Sequence, residues 1–212
     1  MCVDTAGTED RTYGGRPVAA RKAERRSRFL EAALTVFAEK GYAKSSVADI
    51  CAAADLARGQ FYDEFRSRED LLLAVYDQVQ SDAREAMVAA LAKETGTDPR
   101  TLAAVAMAAF VESIGRDPRR TKISFVDIVG VSPRVEQHRI DQRGVWVSFF
   151  ESTVGGAMGA DFVPPGGYDM ASTAFIGALV ALVQQWSTAD PRPPVEGLIE
   201  LMTRLLSALI PD

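Results

Sequence analysis

Between Arg25 and Tyr76 the chain repeats one pattern: apolar residues at helical spacing, closed by a residue that stops one helix or opens the next. Leu30, Ala33, Leu34 and Phe37 recur at i, i+3, i+4 and i+7, which predicts a helix over 22–40. Lys40 and Gly41 then supply a cation for the negative helix end and a stop. Ser46 and Asp49 form an S-x-x-D capping box that opens a second helix, with Val47, Ile50, Cys51 and Ala54 on its inward stripe. Cys51 is therefore read as a small core residue and not as a redox sensor. Asp55, Leu56 and Ala57 make a turn, with Leu56 plugging the core. A third helix follows over 58–65 and a fourth opens at Ser67, with Asp70 in a second capping box. A helix as short as the third is marginal alone, so Phe61 and Phe65, four apart, must hold it against the first two.

That arrangement is a helix-turn-helix. With Phe61 and Phe65 turned inward, Arg58, Gly59, Gln60 and Tyr62 remain for the outer face, and the N-terminal part of such a helix meets base edges in a major groove. The chemistry suits DNA. Gln60 matches adenine bidentately, Arg58 addresses guanine or phosphate, Gly59 lets backbone approach closely, and the Tyr62 hydroxyl reaches phosphate. Arg66 and Arg68 flank the N-terminus of the fourth helix, a further phosphate-binding position. Asp63 and Glu64 would repel phosphate, so they are expected to turn aside or to pair with nearby arginines. The overall charge of −5 conceals a basic stretch. Residues 11–28 hold seven arginines and lysines against Glu24 alone, a local field that draws phosphate whatever the total. Arg16 to Arg28, Arg26 in particular, are candidates for phosphate or the minor groove. Residues 1–20 are read as a flexible basic arm, solvated over its first ten.

The same stretch resembles the DNA-binding domain of TetR-family repressors. The resemblance rests on Gly41-Tyr42, on Ser45-Ser46-Val47-Ala48-Asp49-Ile50, on 54–62 from Ala54 to Tyr62, and on Phe65-Arg66-Ser67-Arg68-Glu69-Asp70-Leu71. It covers about fifty residues without a gap, far more than a lone helix-turn-helix pattern. It implies DNA contacts at Arg26, Tyr42, Ser45, Ser46, Ala57, Arg58, Gly59, Gln60, Tyr62 and Arg66. This chain departs from the family pattern at three places. Asp55 stands where glycine is usual, and an Asp tolerates a left-handed turn at some cost. Ala57 stands where a Ser or Thr caps the third helix, which forfeits roughly 1 kcal/mol of capping and a hydroxyl contact. The third is the Asp63-Glu64 pair.

Beyond residue 92 the punctuation is that of a helical bundle. Asp98-Pro99, Asp117-Pro118 and Ser132-Pro133 each place a cap before a proline at the first helical position. They predict helices over 99–115, 118–129 and 133–158, and apolar spacing predicts two more over 169–188 and 195–209. The resulting expectation is an all-α chain of about nine helices. A helix-turn-helix domain spans 21–67, and a larger ligand-binding and dimerisation bundle spans 68–212. Phe175, Ala178, Leu182 and Trp186, with Leu198, Leu201, Met202 and Leu205, are expected at a homodimer interface through the last two helices, which suits a pseudo-palindromic operator in double-stranded DNA. The resemblance also implies a sensor site in the bundle, with Met107, Phe110, Ile114, Phe125, Val129, His138, Gln142, Trp146 and Phe150 as its candidate lining and a largely apolar small molecule as effector.

Other classes fare worse. Two cysteines and one histidine cannot supply a zinc set, and no nucleophile elbow or phosphate loop appears, so neither an enzyme nor a cofactor or metal is expected. The longest apolar run, 174–183, is well short of the roughly 18 residues that cross a bilayer, and a cytoplasmic setting without membrane contact is expected. The expected function is a repressor that its effector releases from the operator. The competing reading is a DNA-binding regulator without a small-molecule ligand, controlled by a protein partner.

Overall fold

The computed structural model describes residues 12–13, 16–96, 98–159 and 161–210. Residues 1–11 of the expected arm lie outside them. A two-residue antiparallel ladder, Thr12–Tyr13 with Arg16–Pro17, precedes the first helix. Nine α-helices follow among the described residues: α1 Val18–Lys40, α2 Val47–Ala54, α3 Arg58–Glu64, α4 Arg68–Leu91, α5 Pro99–Gly115, α6 Pro118–Lys122, α7 Pro133–Met158, α8 Gly167–Thr188 and α9 Val195–Ser207. The chain is all-α, as its periodicity predicts. α1 begins four residues earlier than expected. The helix expected over 118–129 is α6 followed by a π-helical turn, Ile123–Asp127, a distortion that apolar spacing does not reveal.

Local chemistry accounts for the helix ends. The Ser46 hydroxyl accepts from the Asp49 amide at 3.1 Å, while the Asp49 carboxylate accepts from the Ser46 amide at 2.9 Å, so the predicted box is complete. Lys40 lies 2.6 Å from the same carboxylate and, with Ser46, lowers the Asp49 pKa to about 2. At Ser67 only half of a box forms: its hydroxyl accepts from the Asp70 amide, while the Asp70 carboxylate turns to Arg134 of α7. Asp55 takes the left-handed conformation at φ 50° and ψ 51°, as its place at the turn requires.

Two cores share one long helix. In the head, Phe29, Phe37, Ile50 and Phe61 are fully buried, and Phe29 meets Phe61 and Phe65 edge to face at 5.6 and 6.2 Å. Leu56 packs against this core, and Cys51 lies inside it, where burial pushes its thiol pKa up and away from reactivity. Leu71, Leu72 and Val75 of α4 belong to the same core, and so do Ile123, Ile128 and Val135. Further along α4, Val79, Ala83 and Met87 join the bundle core with α5, α8 and α9. α6 ties the two parts together. Arg119 reaches Glu31 and Thr35 of α1 at 2.7 Å each, Lys122 donates to the Ala38 carbonyl, and Arg120 pairs with Asp82 of α4. By length and composition α8 alone among the described helices could cross a membrane, yet Phe175, Leu179 and Val183 on it are buried in the bundle.

Candidate DNA-binding face and effector cavity

α3 rests on Phe61 and Phe65 and turns its other side outward. Arg58, Gly59 and Tyr62 are exposed, with Tyr62 50% accessible. A Cβ added at Gly59 would meet open space, so the backbone there is free to approach a groove. The Arg58 guanidinium lies 3.4 Å from the Tyr62 hydroxyl and 5.8 Å from its ring centre, which holds both side chains on one face. Ala57 provides no hydroxyl to cap the first amides of α3, and Gln60 makes only the reciprocal half of a capping box: its Oε1 accepts from the Ala57 amide at 2.9 Å. A Gln at the third helical position is the sequence signal for this bond, beside its fitness for a base contact. Bidentate pairing with adenine uses both Oε1 and Nε2, so Gln60 must share or surrender this cap when it reads a base.

Several candidate contacts serve the head itself. Ser45 is buried, its hydroxyl donates to the Tyr42 carbonyl at 2.8 Å, and Arg68 donates to its backbone oxygen. Arg68 also lies over the Tyr42 ring, at 4.2 Å. Ser45 and Arg68 are therefore engaged within the head, beside the half-buried Tyr42. Ser46 stays exposed but holds its capping box. In the basic stretch, Arg25 binds Glu64 at 2.6 Å, and Arg28 donates to the Ala54 and Asp55 carbonyls at the end of α2. Glu64 is thus paired, as its repulsion of phosphate requires, and only 1% of its side chain is exposed. Asp63 is exposed. The arginines left on the surface beside α3 are Arg26, stacked 4.5 Å above Phe65, Arg58 and Arg66.

Within the bundle lies a cavity of about 150 Å³. Met107, Phe110, Phe125, Trp146 and Phe150 line it, as the sequence suggested. Ile114, Val129, His138 and Gln142 do not. Ile114 is packed in the bundle core, and Val129 is 52% exposed beyond the π turn. His138 Nε2 lies 2.6 Å from the Asp77 carboxylate of α4, and Gln142 donates to the same oxygen at 3.0 Å. The error is one of helical phase. Arg139, Arg143, Trp146 and Phe150 follow i, i+4, i+7 and i+11 and face the cavity, while His138 and Gln142 sit a residue earlier, about 100° around α7. α4, which the sequence does not mark as part of a sensor site, forms one cavity wall through Tyr76, Gln80, Met87 and Leu91. Gln80, a buried polar residue amid an apolar stripe, is the one cue to it; its Oε1 accepts from the Trp146 indole at 2.8 Å.

The expected dimer surface divides. Phe175, Leu198 and Met202 are buried in their own chain's core, and Phe175 lines the cavity, because the inward stripe of α9 runs through Leu198, Met202 and Leu206. Leu201 and Leu205 are left outside at 44% and 36% accessible. Ala178, Leu182 and Trp186 are half-buried, and Gly177 and Ala181 of α8 are exposed. Trp186 donates to the Pro193 carbonyl at 2.9 Å.

Residues 29–75 match the family described as bacterial regulatory proteins, tetR family. The transcriptional activator FasR of Mycolicibacterium smegmatis is 29% identical over 143 residues, 62% of this chain and 63% of that protein. The chain thus spans less than two thirds of that relative's length. The transcriptional repressor DhaR of Mycobacterium sp. strain GP1 is 25% identical over 194 residues, 88% of this chain and 93% of that protein. Among solved structures, the fatty acid degradation regulator FadR of Bacillus halodurans superposes with a TM-score of 0.75 at 17% identity, over 95% of this chain and 100% of its own. FadR of Bacillus subtilis, solved in complex with stearoyl-CoA, gives 0.75 at 18% identity, over 87% and 99%. At these identities the structural likeness shows a shared fold.

Proposed function

We propose that this chain, whose residues 29–75 form a TetR-family DNA-binding domain, is a transcriptional regulator that binds a pseudo-palindromic operator as a homodimer and leaves it when a small, largely apolar molecule enters the bundle. The observation that carries the reading is α4. Its first turns are built into the head core through Leu71, Leu72 and Val75, and its later turns form a wall of the cavity through Gln80, Met87 and Leu91. One rigid element thus touches both the DNA-facing unit and the candidate effector site. A ligand releases DNA only if it prefers one of two positions of that element.

In the dimer, α3 of each protomer enters successive major grooves about 34–36 Å apart, or a multiple of that spacing. Leu201, Leu205, Ala178 and Leu182, beside the small exposed residues Gly177 and Ala181, are the proposed contact between protomers. Repression is supported by DhaR, a repressor matched over 88% of this chain. An apolar effector is supported by the aromatic cavity wall and by the stearoyl chain of the stearoyl-CoA in the B. subtilis FadR structure. The cavity also favours control by a small molecule over control by a protein partner, for which a filled core would suffice.

The test is selection of bound sites from a randomised DNA pool, repeated with candidate apolar compounds. The expected result is a two-fold symmetric footprint that one class of compound abolishes. A dimer that binds random and selected DNA alike, or a strictly monomeric chain, overturns the reading.

A further inference from the structure

Two buried serines in the wall of the apolar cavity carry hydroxyls with no partner among the described residues. Ser124 lies on the π-helical turn after α6 and is 4% exposed; Ser172 lies in the second turn of α8 and is 1% exposed. Both line the cavity, and neither Oγ makes a hydrogen bond. Two threonines nearby behave otherwise, although Ser207 of α9 also has an unpartnered hydroxyl. Thr121 donates to the Ile114 carbonyl at 3.0 Å, and Thr153, also on the cavity wall, donates to the Phe149 carbonyl at 2.8 Å. A buried hydroxyl in a helix ordinarily bonds back to a carbonyl of the preceding turn, as Thr153 does. An orphaned one costs free energy, and each instance in a folded protein calls for a physical reason. Ser124 adds a second anomaly, since π-helical turns are uncommon and recur at functional sites.

The geometry points to a bound molecule that supplies what these hydroxyls lack: we infer that the effector is an apolar compound bearing a neutral carbonyl oxygen, which accepts hydrogen bonds from Ser124 and Ser172 inside the cavity. A hydrocarbon, or the saturated tail of a lipid, would leave both donors unsatisfied. A carboxylate at the same place would be a buried charge facing two neutral hydroxyls. Of the two arginines in the lining, Arg139 is paired with Glu136 at 2.8 Å and Arg143 is exposed. Discrimination of this kind is strong, because a site built to bond a polar group rejects the analogue that lacks it. The inference rests on the cavity being the effector site.

Matched isosteres test it. Acetophenone and isopropylbenzene differ by an oxygen in place of a methyl group, as do 2-acetylnaphthalene and 2-isopropylnaphthalene. The two sizes bracket a cavity of about 150 Å³. Each is titrated calorimetrically into the full chain and into the Ser124→Ala/Ser172→Ala variant. The expected result is that the variant binds the ketone about tenfold more weakly, while its affinity for the hydrocarbon changes by less than about twofold. Hydrocarbon binding also reports that the variant is folded. Equal changes for ketone and hydrocarbon, or an unchanged ketone affinity, overturn the carbonyl inference and leave the cavity as effector site intact. If none of the four binds the parent protein, the effector-site reading falls and this inference falls with it.

Discussion

The head and the bundle have the same helical architecture and opposite interiors. In the head, aromatic rings meet edge to face in a fully buried core, and several arginines are committed within it: Arg25 to Glu64, Arg28 to the carbonyls at the end of α2, Arg68 to Ser45. The bundle keeps a cavity and tolerates buried hydroxyls without partners. The difference follows from what each must do. A reading helix of seven residues has little stability of its own, so everything behind it must be rigid if four outward residues are to meet a groove in register. A ligand site needs the reverse, an interior whose packing is completed by something else.

The sharpest test of that contrast is to make the same truncation in both places. Phe61→Ala should cost about 3–5 kcal/mol in denaturant unfolding at fixed protein concentration, because it empties a fully packed site. Phe150→Ala, at the half-buried cavity wall, should cost roughly 1–2 kcal/mol, since it enlarges a space already present. Equal losses would break the comparison. Next comes the buried ion pair. Glu64→Ala should cost about 2–3 kcal/mol, less than a fully buried pair because the Arg25 side chain keeps 26% of its accessibility. Replacing both partners by apolar residues should recover most of that loss, and a double-mutant cycle reads the difference.

Two changes on the DNA face should separate base reading from charge. Gln60→Ala is expected to cost about 1–3 kcal/mol against the best operator and to relax preference at the position it reads. It should also lower stability by roughly 0.5–1 kcal/mol, because the Ala57 amide loses its cap. Unchanged affinity and preference would mean that α3 does not lie as proposed. Arg66→Ala should weaken all sequences alike and reduce the slope of log affinity against log salt by about 1. The smallest effect is at Asp49. Its pKa is lowered from the ordinary 3.8 to about 2, so its link to Lys40 and Ser46 stabilises the head fully above 3.8 and is lost as pH falls through about 2. The gap in unfolding midpoint between the parent and Asp49→Asn should be open at neutral pH, narrow as pH falls below 3.8 and close only below about pH 2. A gap that persists there would show that the carboxylate's charge is not what matters.

What was legible in the residues was whatever depends on near neighbours. Spacing, caps and turn chemistry placed the helices to within a few residues, the Ser46–Asp49 box, the left-handed Asp55 and the inward Phe61 and Phe65. Phase on long helices was less legible. α7 carries apolar and charged residues on several faces, so nothing local distinguishes the stripe of His138 and Gln142, which meets α4, from that of Arg139 and Trp146, which meets the cavity. The same ambiguity placed Leu198 and Met202 on an outer surface when α9 turns them inward.

The order of the helices, their approximate bounds, and which residues of α3 face outward were set by the sequence alone, because helical periodicity and capping act over three or four residues. Only the tertiary structure decided that Arg25, Arg28 and Arg68 bind within the head, that Ser45 is buried, and that Ser124 and Ser172 line one cavity. Those outcomes depend on the rotation and separation of helices distant in the chain, which short-range chemistry does not specify.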